Sequence, residues 1–192
     1  MSERGTNSGA GGVAFWAQAA LFVAFVPWMM LRLSPRIDAV WNRSLLDAVG
    51  VGVGAILSVL GGYVAVRSWL YMWLVGASPL GQAPRVLITR GLFRFVLDPV
   101  YWGYTVFWVG TAIRLRSSAM LAMAVLLGTG FLLWALLVER PALHRRYGLD
   151  YADYRRQVPS ILPTWKALFY DWRDIPVFSL SRVRHLVGRQ CA

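Results

Sequence analysis

The chain has 192 residues, 57% of them hydrophobic, with a mean hydropathy of +0.50, which is more apolar than soluble domains usually are. Its net charge of +11 flanks apolar runs, a pattern suited to anionic lipid head groups and not to a nucleic-acid partner. A single cysteine, Cys191, excludes an internal disulfide, and His144 and His185 lack metal-ligand spacing, so no metal is expected.

A membrane-spanning helix needs about 20 mostly apolar residues. Residues 1–12, MSERGTNSGAGG, are small and polar and read as a disordered start. The first span covers residues 13–31, interrupted by Gln18 and Pro27; with no small-x-small cleavage site after it, it does not read as a removable signal peptide. RLSPRIDAVWNRS is expected to be a loop. The second span covers residues 48–66 and extends into SWLYMWLVG, with Arg67 near its exit. Its run GVGVGAILSVLGG has no following lysine and no preceding strand, so it is not a phosphate loop; Gly50, Gly54 and Ser58 have the spacing of close helix packing in a bilayer. Residues 76–91, GASPLGQAPRVLITRG, form a loop or re-entrant excursion. The third span, 100–113, is short; IRLRSS joins it tightly to the fourth, 119–138, so the two make an antiparallel hairpin.

The expected fold is therefore an all-α integral membrane protein of four, or at most five, transmembrane helices with a C-terminal amphipathic interfacial segment. The chain divides into a disordered N-terminus (1–12), N-terminal transmembrane helices (13–83), a region of helical hairpin plus interfacial helix (84–163) and an interfacial tail (164–192). Four spans put both termini and the loop after the second span on one side, together with Arg4, Arg67, Arg85, Arg90, Arg94 and the basic residues after Val138. Arg32, Arg36, Arg43, Arg114 and Arg116 fall on the other. This imbalance predicts cytoplasmic termini.

After Val138 the chain reads ERPALHRRYGLDYADYRRQVPSILP. Leu143, Tyr147, Tyr151 and Tyr154 recur at helical spacing on one face, Gly148 interrupts that helix, and Arg145, Arg146, Arg155 and Arg156 lie around the other sides. By physics alone this is a basic, aromatic membrane-surface segment. The tail TWKALFYDWRDIPVFSLSRVRHLVGRQCA has the same character.

The stretch RFVLDPVYWG, residues 94–103, is where chemistry concentrates. Pro99 suits the first turn of a helix and Asp98 is a natural N-cap for it. A helix start also favours an anionic group. Because the third and fourth spans form a hairpin, Asp98 and Glu139 share one end and are expected to face a common pocket. Arg94 or Arg140 could neutralise either carboxylate. Ionisable groups at that depth pair or bind something.

RGLFRFVLDPVYWG, a hairpin, then ERPALHRRYGLDYADYRRQVPSILP resembles the integral-membrane methyltransferases, the isoprenylcysteine carboxyl methyltransferase and phospholipid N-methyltransferase-like family. The resemblance is carried by Gly91, Arg94, Pro99, Tyr101, Gly103, Glu139, Leu143, Tyr147, Gly148, Tyr151, Tyr154, Val158, Pro159, Leu162 and Pro163. Three positions depart from it. Phe93 replaces a tyrosine, Leu97-Asp98 replaces arginine followed by histidine or asparagine, and Glu139-Arg140 replaces a glutamate pair.

The resemblance implies methyl transfer from S-adenosylmethionine to a lipid or other hydrophobic acceptor. A phospholipid amine is favoured over an isoprenylcysteine-type carboxylate. It further implies that substrate enters from the bilayer and that membrane lipids are the partners. Asp98, Pro99, Tyr101, Gly103, Glu139, Leu143, Tyr147 and Tyr151 would border the cofactor. Glu139 or Tyr101 would take a proton from an amine, or Arg94 would hold a carboxylate. Gly103 would leave room in the pocket wall. On this reading Asp98→Asn leaves folding intact. The alternative is a non-catalytic lipid-binding or assembly protein on the same scaffold.

Overall fold

A computed structural model describes residues 16–17, 20–41, 50–74, 87–89 and 91–160. The expectations for residues 1–12, for most of 76–91, for Leu162 and Pro163 and for the tail 164–192 lie outside these residues. The described residues are mostly helical and contain no strand. A π-helical turn, Ala20–Phe25, leads into α1, Val26–Trp41. Next come α2, Val51–Leu74, a 3-10 turn, Gly91–Arg94, and α3, Pro99–Arg114. Then α4, Ser118–Trp134, runs through a π-helical segment, Ala135–Glu139, into α5, Arg140–Tyr147, and α6, Leu149–Gln157.

Among the described residues three helices are long and apolar enough to cross a membrane: Ala20–Val40, Val51–Leu74 and Ser118–Tyr147. Large apolar side chains such as Val53, Ile56, Val59, Leu126 and Leu137 stand exposed along them, as lipid-facing surfaces do. The protein is an integral membrane protein. One expectation is corrected: RLSPRIDAVW is not a loop but the second half of α1, with Pro35 inside the helix. Its continuation places Asp38 against the start of α4. There Asp38 Oδ1 accepts from the Ala119 amide at 2.8 Å and Oδ2 accepts from Ser117 Oγ. Ser117 in turn accepts from the Met120 amide at 3.0 Å. These bonds satisfy amides that the first turn of any helix leaves unpaired.

Neighbouring helices run antiparallel. Gly54 near the start of α2 meets Gly110 and Arg114 at the end of α3, while Ala65 meets Gly103 near its beginning. Asp38 at the end of α1 meets the beginning of α4, and Phe22 before α1 packs on Phe131 near the end of α4. The start of α1, the end of α2, the start of α3 and the end of α4 therefore lie at one end of the bundle. The side chains of Met30, Trp108, Ala112, Met120 and Ala124 form the core shared by α1, α3 and α4.

The tightest contact is between α2 and α3. The buried residues of α2 are Gly54, Ser58, Gly61, Ala65, Ser68 and Met72, alternating steps of four and three that keep one narrow seam facing its partner. Small residues let the backbones approach closely. A methyl on Gly103 would stand 2.6 Å from the Ala65 amide nitrogen, and one on Gly54 would stand 2.6 Å from that of Arg114. Gly50 has open space instead and takes no part. Within the seam Ser58 Oγ lies 3.2 Å from Thr111 Oγ1, and Thr111 donates to the Phe107 carbonyl at 2.8 Å. These hydroxyls find partners inside the protein and none is left to the lipid.

Gly110→Ala forces a methyl against the Ser58 amide and to 2.7 Å from the Gly54 carbonyl oxygen. We expect a lower melting temperature in detergent, equivalent to a loss of about 1–3 kcal/mol, as overpacking usually brings. Gly130→Ala, where a methyl meets open space, leaves the melting temperature unchanged or raises it.

Candidate active site

The site lies at the start of α3. This helix has 16 residues, about 24 Å at 1.5 Å per residue, against about 30 Å for a hydrocarbon core. The uninterrupted run Ser118–Tyr147 beside it has 30 residues, about 45 Å by the same rise. α3 thus begins short of its neighbour's end, level with Glu139 and Arg140.

Pro99 opens α3, where its missing amide hydrogen removes no helical bond. Asp98 occupies the N-cap position, but its side chain makes no capping bond. That expectation is corrected. Asp98 Oδ2 instead accepts from a terminal guanidinium nitrogen of Arg140 at 3.0 Å. Arg140 is only 5% exposed. Burial raises the pKa of the Asp98 carboxyl, and the bond and charge of Arg140 act against that rise. Of the two arginines expected to neutralise a carboxylate, Arg140 does so. Arg94 ends the 3-10 turn with its side chain exposed.

Local chain chemistry explains why Glu139 and Arg140 both point inward. Pro141 cannot donate to a carbonyl four residues earlier, and its ring crowds the turn before it. The helix responds with the π segment Ala135–Glu139, in which the Arg140 amide donates to the Ala135 carbonyl five residues back. The extra residue in this turn rotates Glu139 and Arg140 relative to α4. Glu139 Oε2 then accepts from the Tyr101 hydroxyl at 3.0 Å. Asp98 and Glu139, 41 positions apart by number, lie at the same end of the bundle, each bonded across the contact between the start of α3 and the end of the α4–α5 run.

Aromatic rings form the floor beneath these residues. Tyr101 stacks on Phe131 with centroids 4.8 Å apart and planes 13° from parallel. Tyr104 meets Phe131 edge-on, and its hydroxyl donates to the Phe22 carbonyl at 2.6 Å. Sequence reasoning missed Phe22, Tyr104 and Phe131. The available signal was the spacing of Phe131, Ala135 and Glu139, which puts all three along one helix stripe.

Gly103 has a different duty from the one expected of it. Its open side is filled by the α2 backbone at Gly61 and Ala65, so its close neighbour is a helix and it does not widen a ligand pocket. Leu143 and Tyr147 are half-buried on α5, with the Arg146 guanidinium 5.8 Å from the Tyr147 ring centroid. At Gly148 the backbone turns with φ +54, a region that glycine reaches without strain, and α6 folds back. Tyr151 is thereby buried, and its environment includes the charges of Arg140, Asp98 and Glu139.

Tyr154 latches this segment to the lead-in stretch. Its hydroxyl donates to the Phe93 carbonyl at 2.6 Å, and the Leu97 amide donates to the Pro159 carbonyl at 3.1 Å. Burial, with the nearby Asp98 charge adding to it, pushes the Tyr154 pKa upward and keeps it a donor. A hollow of about 320 Å³ opens beside Tyr151, lined by His144, Tyr151, Ala152, Arg155 and Arg156.

A family model described as phospholipid methyltransferase matches residues 49–150, just over half of the chain. The chain belongs to the phospholipid methyltransferase family. The matched part begins with α2 and ends in the first turn of α6, so it contains both halves of the Asp98, Tyr101, Glu139 and Arg140 cluster. A probable protein-S-isoprenylcysteine O-methyltransferase of Oryza sativa subsp. japonica is 26% identical over 131 residues, covering 68% of this chain and 66% of that protein. A phosphatidylethanolamine N-methyltransferase of Arthroderma benhamiae is 29% identical over 157 residues, covering 73% of this chain and 16% of that protein. This family member thus spans about two thirds of the rice protein and a small part of the fungal one.

Asp98→Asn leaves the Arg140 guanidinium buried without its counter-charge. Breaking a buried pair from one side costs about 3–5 kcal/mol. The expectation that this variant folds normally is therefore replaced: a markedly lower melting temperature in detergent is expected. The double variant Asp98→Asn/Arg140→Gln keeps a neutral hydrogen-bonding pair and should recover most of the loss.

Proposed function

We propose that this protein transfers a methyl group from S-adenosylmethionine to a lipid or other hydrophobic acceptor at the membrane surface. The favoured acceptor is a phospholipid amine, and an isoprenylcysteine-type carboxylate is second. The observation that carries this reading is the meeting of Tyr101, Glu139, Asp98 and Arg140 at the start of α3, inside the part of the chain that matches the family.

The residues present suit such a cofactor. Glu139 accepts a tyrosine hydroxyl and forms no ion pair among the described residues, so no cation of the described residues already occupies its carboxyl. S-adenosylmethionine, when bound, supplies a methyl group on a positively charged sulfur. Glu139 would face that charge or take the proton of an attacking amine, and Tyr101 would hold its carboxylate in place. Because the Tyr101 hydroxyl donates to Glu139, the role of proton acceptor falls to Glu139. The Asp98–Arg140 pair would wall the site, and Leu143, Tyr147 and Tyr151 would cover it from α5 and α6. Most of the rate enhancement would come from holding donor and acceptor in line, a contribution of about 7–11 kcal/mol in well-oriented systems.

In this reading α3 is a fourth, short crossing, and the site end of the bundle faces the cytoplasm with both termini. Lipid substrate reaches the site from the bilayer side. A carboxylate acceptor would call for a cation, and the exposed Arg94 is the candidate. The family's usual histidine or asparagine and second glutamate are replaced here by an ion pair, and this favours the alternative of a non-catalytic lipid-binding or assembly protein.

Incubation of the purified chain with methyl-labelled S-adenosylmethionine and phosphatidylethanolamine or an isoprenylated cysteine, followed by extraction, separates these readings. Label in the phospholipid is expected. Glu139→Gln should reduce turnover by about tenfold or more, within the usual contribution of a positioned acid or base, without lowering the melting temperature. Normal methylation by Glu139→Gln, or no label in any acceptor, would overturn the assignment.

A further inference from the structure

We infer that Arg140 binds an oxyanion of the ligand, so that the site recognises a zwitterion, with a cation at Glu139 and a carboxylate or phosphate at Arg140. The inference rests on the proposed methyl transfer for the identity of its ligands. The observation behind it is separate. Arg140 is 5% exposed, Asp98 engages one of its terminal nitrogens at 3.0 Å, and its Nε has no hydrogen-bond partner. A guanidinium has five N–H donors. Buried donors are paired in the great majority of cases, and an unmet donor on a charged group is among the most unfavourable. An exception beside Asp98 and Glu139, at the proposed site, is where a ligand acceptor belongs.

Position supports the sign of the ligand. Glu139 and Arg140 are adjacent, both are turned toward the start of α3 by the π segment, and only Arg140 is matched by a counter-charge. Two glutamates here would present two anions. Glu139-Arg140 presents one anion and one cation, with Asp98 across the gap holding the guanidinium without filling all its donors. Two molecules expected at this membrane carry a matching pair of charges a few bonds apart. One is the amino-acid end of S-adenosylmethionine, with its carboxylate beside an ammonium and a sulfonium. The other is the head group of phosphatidylethanolamine, with its phosphate beside an ammonium. The shared chemistry is an oxyanion next to a cation.

Isothermal titration of the full chain in detergent tests this with two ligand pairs. S-adenosylmethionine is compared with its decarboxylated analogue, and phosphatidylethanolamine with a long-chain primary amine that lacks phosphate. The unaltered chain should prefer the oxyanion-bearing member of one pair by about tenfold or more, the scale of one charge-assisted hydrogen bond. The pair showing the preference names the source of the oxyanion. Arg140→Lys keeps a charge for Asp98 but has no Nε–H, and should bring that ratio close to one. Asp98→Asn/Arg140→Gln should do the same from a neutral pair, which guards against a folding defect. Arg36→Gln, at the opposite end of the bundle, should leave the ratio unchanged. Equal binding within both pairs by the unaltered chain overturns the inference. So does a wild-type ratio in Arg140→Lys and in the double variant, or parallel loss of both members of a pair. Methyl transfer without any such preference overturns this inference alone, whereas absence of both binding and transfer overturns the proposed function with it.

Discussion

A guanidinium removed from water must find a counter-charge, and in this protein that requirement ties the two halves of the site together. Arg140 belongs to the end of the long α4–α5 run and Asp98 to the turn before α3. Their bond at 3.0 Å brings the two elements into register at the same depth. Once that register is set, the Tyr101 hydroxyl reaches Glu139 and the rings of Tyr101 and Phe131 lie face to face. In a low-dielectric setting neither partner of the pair can be removed singly without exposing the other's desolvation. The pair is therefore a structural constraint on this end of the bundle.

The rest of the bundle keeps α3 where this pair needs it. On one side the small-residue seam of α2 holds it by backbone-to-backbone contact, which tolerates almost no added volume. On the other, α4 is fixed at both ends. Asp38 and Ser117 satisfy its first amides, and the Phe131 stripe meets Tyr101 near its exit. A short helix clamped in this way cannot slide along its neighbours. Its start stays level with Glu139 and Arg140, and α6, latched through Tyr154 to Phe93, buries Tyr151 close to them.

The altered motif also takes on a physical meaning. Leu97-Asp98 and Glu139-Arg140 look in sequence like two unrelated departures from the family resemblance. In space they form one ion pair: a carboxylate supplied from the α3 side and a guanidinium from the α4 side. The carboxylate and the guanidinium offset each other's charge, while the Glu139 carboxyl bonds to Tyr101.

Sequence alone determined what depends on spacing along one helix. Apolar runs of sufficient length marked the spans of α2 and α4, the tight IRLRSS connection implied a hairpin, and the hairpin implied that Asp98 and Glu139 share one end. The break at Gly148 was legible for the same reason, since few other residues reach that backbone conformation. Choices between helices were decided only by tertiary structure. Arg140 and not Arg94 neutralises Asp98, the Asp98 side chain leaves its capping position, Gly103 is filled by α2, and RLSPRIDAVW stays helical so that Asp38 can cap α4. Each of these turns on distances of a few ångströms and on which group has lost its water. Such quantities arise only once separate segments pack, and no periodicity within a single segment encodes them.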